Sequence, residues 1–176
     1  MDQKQLWEKA VAFHGHSCGG LAIGFQAARY AAELLGLTFS GDEEIVCITE
    51  NDACGVDAIQ VLLGCTAGKG NLMFHIRGKQ AFSFYDRKTG KSVRLSFRGA
   101  PKDVPDGDYE RYFLESSYQD LFDVKETTIP LPETARIFET YRCECCGEGT
   151  GAYWIRIADG KKVCLDCCSR YDRFNI

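Results

Sequence analysis

The sequence lacks any apolar run long enough to cross a lipid bilayer. No segment of its 176 residues approaches the roughly 20 consecutive apolar residues that a membrane helix requires. The first five residues lead into a helical pattern without the apolar core of a signal peptide. We therefore expect a soluble, cytoplasmic protein that has no membrane partner.

An excess of positive charge is also missing. The chain has 21 Lys and Arg against 25 Asp and Glu, which gives a formal net charge of −4. Proteins that bind phosphate backbones usually carry a basic patch and a basic excess. This balance argues against nucleic acid as a partner.

Proline is scarce, and its placement divides the chain. All four prolines fall between Pro101 and Pro132, shortly before a cysteine-rich tail. A chain of this length can form one domain with a full core and a small appendage that needs help to fold. We place a core domain at residues 1–140 and a second, small domain at residues 141–176.

Cysteine, in contrast, is abundant. Ten cysteines in a secreted chain of this size would indicate a disulfide framework. Without an export signal they indicate metal ligands or redox groups, and their spacing decides between these uses.

The first sixty-odd residues predict three helices and one strand. Residues 2–12 form a short helical pattern, and a second pattern runs to Gly36, a suitable C-terminal cap. The apolar positions of the second pattern recur at steps of four and three residues: Leu21, Phe25, Ala28, Ala32 and Leu35. Residues 44–49 predict a strand, and a third helix follows it with Val56, Ile59 and Leu63 on one face.

The segment after Gly70 predicts a sheet. Residues 71–76, 81–85 and 93–97 are apolar runs separated by turn sequences, which predicts an antiparallel meander. Residues 108–122 predict one helix, and residues 124–129 another strand. The fold class is therefore α+β, with a mixed helix/antiparallel-sheet core followed by a small four-cysteine zinc ribbon. Apolar helix faces and an open sheet edge favour a homodimer.

The tail contains two cysteine pairs with the spacing of a zinc site. Cys143 and Cys146 form the first pair, and Cys164 and Cys167 follow after 17 intervening residues. Four such thiolates fit tetrahedral zinc, and a closed set of four is typical of a structural site. Burial of these cysteines in a core is the alternative, but a piece of this size has too little core to fold unaided. We expect the adjacent Cys145 and Cys168 to be bystanders.

The segment before the second helix contains a second set of potential ligands. His14, His16 and Cys18 alternate, so in an extended segment all three would point to one side. The helix that begins after Cys18 would favour negative charge on its sulfur through the helix dipole. Cys54 occupies a comparable position before the third helix, so we predict that these four residues share one metal.

Other chemically notable residues receive simpler interpretations. Cys47 in a strand and Cys65 at a helix end are predicted to be small buried hydrophobic residues. His75 is expected in the core or at its rim. The glycine-rich segment 64–70 lacks the spacing and the Ser or Thr of a phosphate-binding P-loop, which argues against nucleotide hydrolysis.

These motifs resemble the E-subunit family of formylmethanofuran dehydrogenase. The resemblance rests on residues 13–18, residues 54–60 and residues 64–66, and it extends from about residue 10 to about residue 130. His14, His16, Cys18 and Gly24 match the family pattern, while Gly19 stands where members often have proline. The tail is similar to the zinc ribbon that some members carry.

The resemblance implies a metal-binding α/β core and association with subunits of molybdenum or tungsten enzymes that interconvert carbon dioxide and formyl-methanofuran. The pterin chemistry belongs to other subunits, so the resemblance implies an accessory or subunit-type role. Two alternatives stay open: a stand-alone zinc enzyme with Asp57 or Glu50 as general base, and an interaction module with two structural metal sites.

Overall fold

The structure is a computed structural model that describes residues 2–169 and 173. The chain divides into two compact units between Ala135 and Arg136. Part of the predicted ribbon, at residues 170–172 and 174–176, lies outside the described residues.

The first unit combines five helices with one five-stranded sheet. Its helices are α1 (Gln3–His14), α2 (Gly19–Leu35), α3 (Gly55–Leu63), α4 (Tyr109–Glu115) and α5 (Tyr118–Leu121), with a 3-10 turn at Asp106–Asp108. Its strands are β1 (Ile45–Thr49), β2 (Leu72–Phe74), β3 (Ala81–Asp86), β4 (Ser92–Phe97) and β5 (Phe122–Lys125).

The sheet order is β2-β1-β3-β4-β5, which differs from the predicted meander. Strand β2 does not pair with β3. It lies at the sheet edge, parallel to β1, with Cys47 opposite Leu72. The prediction was wrong here because α3 and the loop after it provide the long crossover that parallel strands need. The remaining neighbours are antiparallel.

Strand β1 is buried on both faces. Ile45 and Cys47 pack with the helices in the main core, whereas Val46 and Ile48 pack with Tyr85 on the opposite face. The prediction that Cys47 and Cys65 are buried is confirmed, since both have no exposed area. Burial raises the pKa of Cys65 to about 12, so this thiol stays protonated and unreactive.

The second face of the sheet is covered by residues 127–135, which we call the back strap. The Tyr85 hydroxyl donates to the Ile129 carbonyl at 2.7 Å. Arg87 donates to the Pro132 carbonyl at 2.8 Å, and the Ala135 N–H donates to the Glu43 carboxylate at 3.1 Å. The predicted strand 124–129 is therefore shorter than expected, because the chain leaves the sheet after Lys125 to form this strap.

The predicted helix at residues 108–122 is interrupted. Ser116 and Ser117 have extended backbone angles between α4 and α5. The Ser116 hydroxyl donates to the Tyr112 carbonyl at 2.6 Å, a local bond that competes with helix continuation. The buried Gln26 amide then donates to the Phe113 carbonyl at 2.6 Å, which satisfies part of the helix end.

The second unit consists of two small hairpins. Strands β6 (Thr140–Arg142) and β7 (Gly149–Gly151) form the first, and a 3-10 turn follows at Ala152–Trp154. Strands β8 (Arg156–Ala158) and β9 (Lys161–Val163) form the second. Asp159 and Gly160 join them with φ angles of 51° and 76°, as a two-residue hairpin turn requires. The predicted α+β fold class, with a four-cysteine cluster C-terminal to the core domain, is confirmed.

Candidate metal centres

Helices α2 and α3 cross at glycine, and this crossing brings their N-termini together. A Cβ added to Gly55 would lie 3.0 Å from the Gly20 carbonyl oxygen and 3.0 Å from the Gly24 Cα. The two helices can approach this closely only because glycine has a hydrogen atom in place of a side chain. As a result, Cys18 and Cys54, which occupy the N-cap positions of α2 and α3, lie side by side.

The structure brings His14, His16 and Cys18 together, but not by the predicted extended segment. Helix α1 continues through His14 and ends at Gly15, whose φ is 94°. Cys18 has extended backbone angles, and its sulfur accepts a hydrogen bond from the Leu21 N–H at 3.3 Å. One potential ligand atom from each of the three residues lies within 4.8 Å of the others. The extended-segment prediction was wrong, since a helix end and a turn produce the convergence.

The hydrogen bonds of His14 fit a metal ligand. Its Nδ1 donates to Asp57 Oδ2 at 2.7 Å, and the Gln60 amide donates to Asp57 Oδ1 at 3.0 Å. His14 Nε2 is buried and has no hydrogen-bond partner. A histidine that is bonded to a carboxylate at one nitrogen has its lone pair on the other, which is the usual arrangement around bound metals. The residues present therefore fit a metal ion.

Cys54 lies beside this group and not within it. Among the described residues, the group of ligand atoms that lie within 4.8 Å of one another contains His14, His16 and Cys18 and does not include the Cys54 sulfur. A Cβ added to Gly20 would lie 3.6 Å from the Cys54 sulfur and 3.9 Å from the Cys18 sulfur, so both thiols border the same small space. Burial raises the pKa of Cys54, and the neighbouring Cys18 thiol raises it further.

The two carboxylates considered as general bases are both engaged. Asp57 uses one oxygen for His14 and the other for Gln60. Arg94 binds Glu50 in a two-point interaction with distances of 2.6 and 2.9 Å. These hydrogen bonds from Arg94 lower the pKa of Glu50, which weakens it as a base.

A cavity of about 470 Å³ opens beside the three-residue group. His14, Cys54, Asp57, Gln60 and Phe74 contribute to its wall. Cys54 thus borders both the cavity and the space that it shares with Cys18. Small molecules can therefore reach this side of the site.

The second unit brings Cys143, Cys146, Cys164 and Cys167 together. Their sulfur atoms lie within 4.8 Å of one another, and all ten cysteines of the chain are free thiols. Backbone N–H groups of Cys146 and Cys164 lower the pKa of Cys143 to about 6. Neighbouring thiols, chiefly Cys164, raise the pKa of Cys167. Four thiolates this close need a cation to offset their repulsion, so this set also fits a metal. Cys145 is exposed and Cys168 half-buried, and neither belongs to the cluster.

The family model described as "FmdE, Molybdenum formylmethanofuran dehydrogenase operon" matches residues 13–127. The chain belongs to the FmdE family. The matched range contains the His14, His16 and Cys18 group and ends in the back strap. The predicted family resemblance is confirmed.

One solved structure and one further protein are similar to this FmdE protein. The crystal structure of a tungsten formylmethanofuran dehydrogenase FmdE-like protein from Syntrophus aciditrophicus superposes with a TM-score of 0.71 at 24% identity. This match covers 95% of the chain and 92% of that structure, and it shows the shared fold. A probable S-adenosyl-L-methionine-binding protein of Archaeoglobus fulgidus is 30% identical over 95% of the chain. The chain spans about half of that relative's length, 53%.

The helices of the described part of the chain are all too short or too polar to cross a membrane.

Proposed function

We propose that this FmdE-family protein is a zinc-binding accessory or subunit-type protein of a molybdenum or tungsten enzyme. His14, His16 and Cys18 would hold a zinc ion in the core, with Cys54 as a fourth ligand. Cys143, Cys146, Cys164 and Cys167 would hold a structural zinc ion in the second unit. The proposal includes a cytoplasmic location and a homodimer.

The unpartnered, buried Nε2 of His14 is the main support for the core site. A buried polar atom without a partner costs about 1–3 kcal/mol, and a metal ion would remove that cost. Asp57 fixes the imidazole so that Nε2 faces away from the carboxylate. Its role is to orient and polarise His14.

Zinc is the metal that both donor sets favour. Thiolate and imidazole ligands suit zinc and other borderline or soft metals, while magnesium and calcium prefer oxygen ligands. The ribbon offers four sulfur donors, and the core offers two nitrogen donors with sulfur. A bound zinc ion would supply Lewis acidity in the core and a structural cross-link in the ribbon.

The accessory role rests on two observations. The family is described by its association with a molybdenum formylmethanofuran dehydrogenase operon. In addition, Glu50 is bound by Arg94, and Asp57 is bound by His14 and Gln60, so neither carboxylate is free to act as a general base.

Metal analysis of anaerobically purified protein tests the proposal. We expect two zinc ions per chain. His14→Ala should remove one of them and Cys164→Ser the other. A wild-type chain with a single zinc, lost in Cys164→Ser and kept in His14→Ala, would contradict the core site.

A stand-alone zinc enzyme is the second candidate. The cavity of about 470 Å³ favours it, because a metal with three protein ligands and an adjoining cavity has room for water or substrate. X-ray absorption of a Cys164→Ser variant, which isolates the core metal, separates the candidates. Two nitrogen and two sulfur neighbours indicate closure by Cys54, whereas one sulfur and an added oxygen indicate an open site. Closed coordination in both units, without an enzyme partner, would favour an interaction module.

A further inference from the structure

We propose that Cys18 and Cys54 form a reversible disulfide that releases the core metal, so that the site responds to thiol oxidation. This inference rests on the proposed core metal site. It adds a modification of that site and a condition under which the metal is lost.

The Cys18 and Cys54 sulfurs both lie next to Gly20, which has no side chain. A Cβ at Gly20 would contact the Cys54 Cβ at 3.2 Å, the Cys54 sulfur at 3.6 Å and the Cys18 sulfur at 3.9 Å. Glycine at this position leaves the space between the two thiols open. A disulfide requires two cysteine side chains that approach each other closely. The Cys18 and Cys54 thiols are close enough to share a side-chain hydrogen bond.

The backbone around the pair is fixed. Cys18 and Cys54 stand at the N-termini of α2 and α3, and those helices touch at Gly20, Gly24 and Gly55. We therefore expect the disulfide to form by side-chain rotation, with the two helices kept in place by their glycine contacts. Both thiols are half-buried, so a small oxidant can reach each of them from solvent, and Cys54 also lines the cavity.

The reaction balances with hydrogen peroxide as the oxidant. Peroxide first oxidises the Cys18 thiolate to a sulfenic acid, with loss of hydroxide, which is protonated to water. The Cys54 thiolate then attacks the sulfenic sulfur, a sulfur–sulfur bond forms, and the second oxygen leaves as hydroxide, which takes a proton from solvent to give water. In sum, two thiolates, one peroxide and two protons from solvent give one disulfide and two waters. The two electrons lost by the sulfurs reduce the peroxide.

Loss of the metal follows from the ligand set. A metal-bound cysteine must be a thiolate, and a disulfide sulfur has no such charge. Oxidation removes Cys18 together with the proposed fourth ligand Cys54, and His14 and His16 alone would hold zinc weakly. A thiol reductant restores both cysteines and hence the site.

The chain contains a second cysteine pair that serves as an internal comparison. Cys47 and Cys65 are fully buried, and burial raises the pKa of each thiol. Their proximity raises the pKa of Cys47 further. Since neither is exposed to solvent, we expect this pair to stay reduced while Cys18 and Cys54 react.

The experiment treats zinc-loaded, full-length protein with one equivalent of hydrogen peroxide. A chelating dye measures released zinc, and alkylation followed by peptide mass mapping identifies the oxidised cysteines. We expect a Cys18–Cys54 disulfide and about one zinc released per disulfide. Dithiothreitol with added zinc should reverse both changes. Release of core zinc with Cys18 in a sulfinic acid, or with Cys18 joined to another cysteine, would overturn the inference.

Two variants sharpen the result. Cys54→Ala should leave Cys18 as a sulfenic acid that dimedone traps, with no reversible disulfide. Cys65→Ala, the matched control, should form the Cys18–Cys54 disulfide at the wild-type rate. Equal reversible protection of Cys18 in Cys54→Ala would overturn the pairing.

Failure of the proposed function gives a result that differs from failure of the disulfide inference. In that case the untreated protein contains no core zinc at all. If the core zinc is present and peroxide yields no Cys18–Cys54 disulfide, the metal site stands and the redox inference is wrong. Mapping of the wild-type protein decides this even if a variant does not fold.

Discussion

Gly24 of α2 lies directly against the backbone of Gly55 in α3. A Cβ at Gly24 would collide with the carbonyl oxygen, the Cα and the carbonyl carbon of Gly55. These are backbone atoms inside a helix and cannot rotate away. The contact sets the distance between the two helices whose N-caps are Cys18 and Cys54.

Gly24→Ala should therefore damage both the core and its metal site. We expect a loss of about 3 kcal/mol in the free energy of unfolding, the upper part of the range for overpacking. Urea denaturation measures it, and metal analysis should show loss of the core zinc alone. Gly41→Ala is the control, because a Cβ there meets no atom within 4 Å, and its effect should stay within about 0.5 kcal/mol. A Gly24→Ala protein with wild-type stability would show that the helices can separate at no cost.

Asp57→Asn should lower the affinity of the core site for zinc by roughly 10- to 100-fold. A loss of this size is typical when the carboxylate that is hydrogen-bonded to a metal-bound histidine is removed. Its carboxylate holds the His14 ring at 2.7 Å. Competition with a chelator of known affinity measures the change. Asp52→Asn removes an exposed carboxylate from the same cavity wall and should leave zinc affinity unchanged. Equal effects of the two variants would mean that only the local charge matters.

Cys143→Ser or Cys164→Ser should unfold the second unit and leave the first folded. The small unit has little core of its own, so its folding free energy comes mainly from metal binding. Trp154 lies in this unit and Trp7 in the first, so single-tryptophan variants report on each unit by fluorescence. Cys145→Ser should be nearly silent. If Cys145→Ser also releases zinc, the ligand assignment is wrong.

The Glu50–Arg94 pair should make stability depend on acid pH. Arg94 lowers the pKa of Glu50 below its ordinary value of 4.5 in the folded protein. The stabilisation is thus fully present above about pH 4.5, and it is lost as pH falls through the lower folded pKa. Urea midpoints between pH 6 and pH 3 should fall less steeply for Glu50→Gln than for the wild type. Parallel curves would show that the pair does not contribute.

Residues 1–140 should form a folded domain alone, whereas residues 1–127 should not. The shorter fragment loses the carbonyl of Ile129 that Tyr85 binds and the carbonyl of Pro132 that Arg87 binds. It also uncovers Val46 and Ile48. Thermal unfolding of both fragments, followed by circular dichroism, checks this. A cooperative transition at the same temperature in both would show that the back strap is dispensable.

Periodicity predicted the elements of the core better than their pairing. The helix steps from Leu21 to Leu35 and the apolar run of β1 are local signals, and both elements are present. The parallel position of β2 was missed because an apolar strand looks the same whichever neighbour it pairs with. The break at Ser116 was missed because the apolar pattern does not show the bond of the Ser116 hydroxyl to Tyr112 or the tertiary bond from Gln26 that satisfies the helix end.

At the candidate sites, the sequence likewise predicted the local groupings of residues but missed a contact between distant residues. Cysteine spacing alone grouped the four tail cysteines, and the alternating His14, His16 and Cys18 converge through a different local geometry. The bond between Asp57 and His14 was missed because it joins residues 43 positions apart. The position of Asp57 in the first turn of α3, three residues after Cys54, was the one local signal that it lies near the His14 group.

His14 is the last residue of α1, and Cys18 is the N-cap of α2. Asp57 lies in α3 and is hydrogen-bonded to His14. An ion at this junction would work as a cross-link that fastens α1 to the body of the domain. Amide exchange along Gln3–His14 would then be slow with metal and fast without it, while β1 and β3 would exchange at the same rate in both states. The first helix would thus report by its local opening whether the core site is filled.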